Sequence, residues 1–275
     1  MTTRQFGQPV LRKEDPRLVT GNGRYLDDLG QDAYEVAFVR SPHAHARITD
    51  IDVDGAVEID GVIAVYTHED LDGPAADRLP LLIPHPSIEA GRTGYPLARD
   101  EINHVGEAIV MVVAHDRYLA EDAAQRIVVT YEIRPPVVGI AKSRDGDLLV
   151  HDDAPGNVAA HLLQEVGDVE PAMAAAPHTL TLDLEIERSA CMPMEGKGVL
   201  AHWDSDEQRM RIHSSTQTTT GVRAAVAAKL ALPLAQVECI APDVGGGFGV
   251  KIMHPWPEEV LIPWASRKLN HDVKW

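Results

Sequence analysis

Residues 107–133 read Glu-Ala-Ile-Val-Met-Val-Val-Ala-His-Asp-Arg-Tyr-Leu-Ala-Glu-Asp-Ala-Ala-Gln-Arg-Ile-Val-Val-Thr-Tyr-Glu-Ile. The apolar block Ile109, Val110, Met111, Val112 and Val113 is the pattern of a buried strand. Asp116 then offers a short side-chain acceptor for free helical N–H groups, which predicts a helix from Arg117 to about Arg126. Residues 127–133 return to strand character and stop at Pro135 and Pro136. A strand–helix–strand unit of 27 residues behind a proline-rich stretch points to a small α/β or α+β domain ending near residue 136.

Upstream, residues 33–39, 46–53 and 62–66 read as further strands. Residues 71–100 carry Pro74, Pro80, Pro84, Pro86 and Pro96, which disfavour regular structure and predict a long surface excursion. Residues 1 to about 30 form an irregular lead-in, punctuated by Gly21, Gly23 and Gly30, expected to lie against the rest of the chain. Downstream, residues 137–177 are repeatedly broken by glycine and proline and read as a linker. In residues 179–187 Leu180, Leu182, Leu184 and Ile186 alternate with polar side chains, predicting a half-buried strand. Residues 198–203 and 209–215 read as strands joined by the turn Asp204-Ser205-Asp206. Residues 220–230 read as helix and 237–240 as strand, and a helix opens at Pro257 and runs to about Leu269.

The formal charge of -17, from 42 acidic and 25 basic residues, opposes binding to nucleic acid or to anionic lipid surfaces. No signal-peptide pattern or membrane-spanning apolar run occurs, so a cytoplasmic protein is expected. Cys191 and Cys239 are isolated and read as small buried residues, with a disulfide between them left open. His43 and His45 have a spacing that can bind metal, but no third ligand is evident. Glu258 and Glu259 open a helix, where carboxylates complement the helix dipole.

Residues 240–251, Ile-Ala-Pro-Asp-Val-Gly-Gly-Gly-Phe-Gly-Val-Lys, place four glycines after a strand. Such a loop lets backbone approach a ligand closely and can present successive N–H groups to anionic oxygens. A Walker-type phosphate loop is excluded, because Val250 precedes Lys251 and Ile252 stands where a hydroxyl is required. The dinucleotide fingerprint would need glycine at Val250. The next helix starts only near Pro257. A tight strand exit and a loop embracing a cofactor remain as readings.

Here the sequence resembles a known family. Val244-Gly245-Gly246-Gly247-Phe248-Gly249-Val250-Lys251 is similar to the glycine–phenylalanine motif of the xanthine dehydrogenase, aldehyde oxidase and aerobic carbon monoxide dehydrogenase large subunits. The stretch from Arg17 to Asp28 (Arg-Leu-Val-Thr-Gly-Asn-Gly-Arg-Tyr-Leu-Asp-Asp), the stretch from Phe38 to Ile48, Pro193-Met194-Glu195 and Ser215-Thr216-Gln217 resemble further motifs of that family, in the same order. The resemblance implies an α+β fold. It divides the chain into a lead-in (1–19), an α/β hammerhead domain (20–136), a linker (137–177) and the first part of a molybdopterin-binding domain (178–275).

The resemblance also implies chemistry. A molybdenum held by molybdopterin, in the cytosine dinucleotide form, acts as Lewis acid and electron sink, and electrons leave through [2Fe-2S] clusters to FAD. Gln217 matches a glutamine that hydrogen-bonds beside the metal and pterin. Gly245, Gly246, Gly247 and Gly249 match the loop against the cofactor, and Phe248 its aromatic residue. The family's catalytic glutamate falls outside these residues, so no catalytic residue and no metal ligand is assigned here. Ile252 replaces the glutamate of purine-oxidising members, which disfavours a purine, and Gly196 replaces a proline. The implied partners are a C-terminal half of the large subunit as a separate chain, an FAD-binding medium subunit and an iron–sulfur small subunit. The expected function is thus the N-terminal portion of a molybdenum hydroxylase large subunit, inactive as an isolated chain. The alternative is a non-catalytic truncated fragment or an interaction scaffold of the same fold.

Overall fold

The computed structural model describes residues 6–154, 156–187, 189–253 and 255–275. Met1, Thr2, Thr3, Arg4 and Gln5, the start of the expected lead-in, lie outside the described residues. In chain order the strands are β1 (Tyr34–Arg40), β2 (Ala46–Asp52), β3 (Val62–Tyr66), β4 (Glu101–Ile102), β5 (Ala108–Ala114), β6 (Val128–Ile133), β7 (Val199–Asp204), β8 (Arg209–Ser214), β9 (Val237–Ile240) and β10 (Val273–Lys274). The helices are α1 (Asp15–Val19), α2 (Asp54–Val57), α3 (Arg117–Ala124), α4 (Ile140–Asp145), α5 (Val169–Ala175), α6 (Thr219–Lys229) and α7 (Pro257–Leu269).

All seven residues of β5 are buried. One face, including Met111 and Val113, joins the main core with α6 and α7, and Ile109 and Val112 join a second core with Ala46, Ile102 and Ala123. An apolar run with no alternation is what two covered faces require. Asp116 caps α3, its carboxylate accepting the Leu119 N–H at 2.9 Å. Asp116→Ala is expected to cost about 1 kcal/mol in urea unfolding; a loss indistinguishable from zero would mean that water replaces the cap.

The two strands of that unit part company. β5 is second from the edge of a seven-stranded sheet of order β3-β5-β1-β10-β7-β8-β9, whereas β6 lies in a three-stranded sheet of order β4-β2-β6. β6 carries Thr130 and Glu132 between apolar neighbours and is only partly covered, so it suits the smaller sheet. The fold is α+β. Two-residue β10 is the hinge pin of the large sheet. It pairs parallel with β1, Tyr34 opposite Val273, and antiparallel with β7, Val273 opposite Ala201. It thereby joins the strands of the first half of the chain to β7, β8 and β9. Helices α6 and α7 cover this second half through Val222, Val226, Leu261 and Ala265.

Several expectations need correction. Residues 179–187 form no strand; the alternating side chains are exposed, because no neighbouring strand receives them. The excursion over 71–100 is irregular but not superficial throughout, since Leu71, Ala75, Leu97 and Ala98 are buried. The stretch 137–177 contains the short helices α4 and α5, neither with a buried residue. The lead-in does lie on the body of the protein: Leu26 packs with Ala33 and Leu200.

Candidate cofactor site

β9 delivers the chain into the glycine loop. At its entry Asp243 pairs with the Arg17 guanidinium and accepts the Arg24 N–H at 2.8 Å, tying the lead-in to the loop. The Arg17 hydrogen bond, then the Arg24 N–H, hold the Asp243 carboxyl down to about 2. Its contribution to stability is therefore present above the ordinary 3.8 and lost as pH falls toward 2. Asp243→Asn should speed proteolysis within α1 at neutral pH, and the difference from wild type should shrink toward pH 2, where the wild-type carboxyl is itself half protonated. Equal cleavage of both proteins at neutral pH would mean that the pair does not hold the segment.

Inside the loop, Glu195 is the fixed point. Its Oε2 accepts the Gly245 N–H at 2.8 Å, the Ser215 hydroxyl at 2.6 Å and the Lys251 ammonium at 2.9 Å. Its own N–H donates to the Gly245 carbonyl at 3.1 Å. Lys251 is buried, with its ammonium also donating to Ser215 Oγ at 2.7 Å. The Lys251 carbonyl accepts from Thr216 Oγ1 at 3.0 Å and from the Gln217 N–H at 3.1 Å. Three sequence segments, 193–195, 215–217 and 245–251, thus converge. Gly245 has no room for a side chain there: a Cβ would stand 2.5 Å from Glu195 Cβ.

Burial pushes the Glu195 carboxyl up, but the hydrogen bonds from Lys251, Ser215 and the Gly245 N–H outweigh it, and the net shift is downward. A depressed carboxylate stabilises the fold above its unfolded pKa, near 4.5, and that stability fades as pH falls through the folded value. The wild-type melting temperature should consequently fall more steeply below pH 4.5 than that of Glu195→Gln. Parallel curves would show that the carboxylate is not held by these donors.

Gln217 stands at the loop's open side. Its Oε1 accepts the Gly249 N–H at 3.1 Å, and its Nε2 has no acceptor among the described residues. A Cβ on Gly247 would lie 2.5 Å from Gln217 Oε1. Gly246 and Gly249 sit at φ +101° and +92°, where side chains are strained. The N–H groups of Gly246, Gly247 and Phe248 donate to no acceptor among the described residues. Phe248 has φ +49° and is 71% exposed, so it is not an ordinary core phenylalanine. A left-handed backbone and an exposed ring both cost free energy, a combination typical of functional loops.

A second buried ion pair backs the site, and sequence reading missed its role. Glu258 and Glu259 do more than complement a helix dipole; both are buried. Glu259 pairs with Lys197 and accepts the Ser214 hydroxyl at 2.8 Å and the Trp256 N–H at 3.0 Å. Glu258 accepts from Arg40 at 2.5 Å, linking α7 to β1. Burial of a glutamate at a helix start is not legible without knowing what faces it.

His45 is held by Pro135 O at 3.0 Å and Glu101 at 3.2 Å, and His43 packs edge-on against Tyr131, away from the loop. Among the described residues no His, Cys, Asp and Glu side chains group as a metal site. Both cysteines are free; Cys191 is exposed, contrary to expectation, and burial pushes the Cys239 thiol up to about 12. The loop therefore offers neutral N–H donors and no metal ligands. That set fits a group that brings its own metal ligation and presents acceptor atoms to the protein.

Two family models match the chain. Residues 20–135 match the aldehyde oxidase and xanthine dehydrogenase a/b hammerhead domain, and residues 150–275 match the molybdopterin cofactor-binding domain. The chain belongs to the aldehyde oxidase and xanthine dehydrogenase family. Among its relatives is the nicotine 6-hydroxylase large subunit of Paenarthrobacter nicotinovorans, 38% identical over 100% of this chain and 34% of that protein. Quinoline 2-oxidoreductase from Pseudomonas putida 86 superposes with TM-score 0.88 at 37% identity, covering 97% of this chain and 34% of that one. The Cu,Mo-CO dehydrogenase in its carbon monoxide reduced state superposes with TM-score 0.86 at 32% identity, over 98% of this chain and 35% of that one. The chain thus spans about a third of the length of these family members. No helix among the described residues is long and apolar enough to cross a membrane.

Proposed function

We propose that these 275 residues supply the glycine-loop wall of the molybdopterin site in a molybdenum hydroxylase large subunit, and that polypeptide outside them supplies the catalytic base. The observation that carries this is the convergence of unpaired donors at one loop: Gln217 Nε2 and the N–H groups of Gly246, Gly247 and Phe248. When bound, molybdopterin supplies the redox-active metal. The residues of this chain bind and orient it. Gln217, its oxygen engaged by the Gly249 N–H, turns its amide hydrogens outward and donates without adding charge. The loop N–H groups accept the close approach that glycine permits. Phe248 keeps water from the cofactor face, and the Glu195–Lys251 pair holds the loop at this spacing.

We infer the cytosine dinucleotide form of the cofactor, a domain boundary within residues 137–177, a cytoplasmic location, and assembly with an FAD-binding medium subunit and a [2Fe-2S] small subunit. Without the C-terminal part the chain is inactive. A non-purine N-heterocycle is the substrate class we favour. Ile252 supports this, as do the names of the nicotine- and quinoline-oxidising relatives. The test is pterin content, read as the fluorescent oxidation product of the native complex, in wild type and Gln217→Ala. At least a tenfold loss in the variant, with unchanged melting, is expected on removal of a directed hydrogen bond and its orienting role (roughly 10-fold per 1.4 kcal/mol). Equal pterin in both would remove Gln217 from the site. Pterin absent from both would favour the non-catalytic fragment.

A further inference from the structure

Residues 179–187 are the most anomalous surface of the molecule. Leu180, Leu182, Leu184 and Ile186 are 80%, 66%, 83% and 91% exposed. They alternate with Thr181, Asp183, Glu185 and Glu187, so an extended backbone places all four on one face. No backbone hydrogen bond engages residues 179–187 among the described residues, leaving a full row of donors and acceptors free. None of the four side chains belongs to, or packs against, a core cluster among the described residues. An isolated extended segment with one apolar face is a strand without a sheet, and such a segment recruits another chain's edge.

We propose that residues 179–187 add as a strand to the edge of a sheet in the C-terminal part of the large subunit, with the four aliphatic side chains entering that part's core. The proposal rests on the reading that such a part completes the site. The occupant follows from length. This chain superposes over 97% of its residues on a chain of which it covers 34%, so about two thirds of that polypeptide lies outside the superposition. The acidic face, Asp183, Glu185 and Glu187, remains in water or meets lysine and arginine side chains of the receiving sheet. The same pairing brings the receiving part to within a few residues of Glu195, hence to the glycine loop.

The test is amide hydrogen exchange on the protein purified from its own host, with mass spectrometry of what accompanies it. Expected is the C-terminal part in the sample and exchange at residues 180–186 slowed at least about 100-fold relative to an unstructured peptide. Leu182→Asp and Leu184→Asp, at exposed positions, should reduce co-purification at least about 10-fold without lowering the free chain's melting temperature. Thr181→Asp, on the other face, should leave both unchanged. If the C-terminal part is present but residues 180–186 exchange freely, strand addition is overturned while the completion of the site stands. If the C-terminal part is absent, both fail. Protection confined to a self-associated dimer would make a second copy the occupant and overturn the proposal.

Discussion

Lys251→Met is expected to lower the free energy of unfolding by about 3 kcal/mol, the lower end of the cost of breaking a buried ion pair from one side. Methionine keeps the length and most of the packing of the lysine stem. The loss therefore reports the ammonium, which is buried against Glu195 Oε2 at 2.9 Å and Ser215 Oγ at 2.7 Å. Glu195 keeps two donors, Ser215 and the Gly245 N–H, and retains some solvent contact, which is why the upper end of the range is not reached. The double variant Lys251→Met with Glu195→Gln should be less unstable than the sum of the single variants, since it removes both charges. Urea titration of the four proteins measures this. A Lys251→Met change within about 0.5 kcal/mol of wild type, the range of ordinary surface substitutions, would mean that the pair does not anchor the loop.

The second large effect separates two glycines of the same loop, Gly247 and Gly245. Gly247→Ala places a methyl group 2.5 Å from Gln217 Oε1 and 2.6 Å from its Cδ. Gln217 is exposed, so its side chain can swing away and the fold survives. The carboxamide then leaves the loop. The expected result is at least a tenfold loss of bound pterin, about 1.4 kcal/mol or more, with little change in melting. Gly245→Ala meets Glu195 Cβ at 2.5 Å and the Glu195 nitrogen at 3.4 Å, a neighbour fixed by one backbone hydrogen bond and by three donors to its carboxylate. It should destabilise the fold itself, by roughly 1–3 kcal/mol as for other overpacked sites. If Gly247→Ala instead melts early and retains its pterin share, Gln217 is part of the structural frame and not of the cofactor contact.

What the sequence revealed depended on how local each signal was. The β5–α3 unit was legible because an unbroken apolar run and the Asp116 cap act within a few residues of themselves. The glycine loop was legible because its requirement, backbone without side chains, is written in consecutive positions. β10 was invisible: two residues carry no periodicity, yet they join the halves of the large sheet. The Glu195–Lys251 contact joins residues 56 apart, and nothing in either neighbourhood announces a buried pair. Burial of Glu258 likewise depends on Arg40, 218 residues away. Residues 179–187 have the alternation of a strand, but alternation specifies a face and not a neighbour, and no neighbour is provided within the described residues.

Elemental analysis of the protein purified from its own host under mild conditions decides whether this glycine loop is one wall of a molybdopterin site. About one molybdenum per chain is expected, since one glycine loop contacts one cofactor. The metal should be lost together with pterin in Gly247→Ala. A protein that is folded, carries its C-terminal part and contains no molybdenum would remove the loop from any cofactor site.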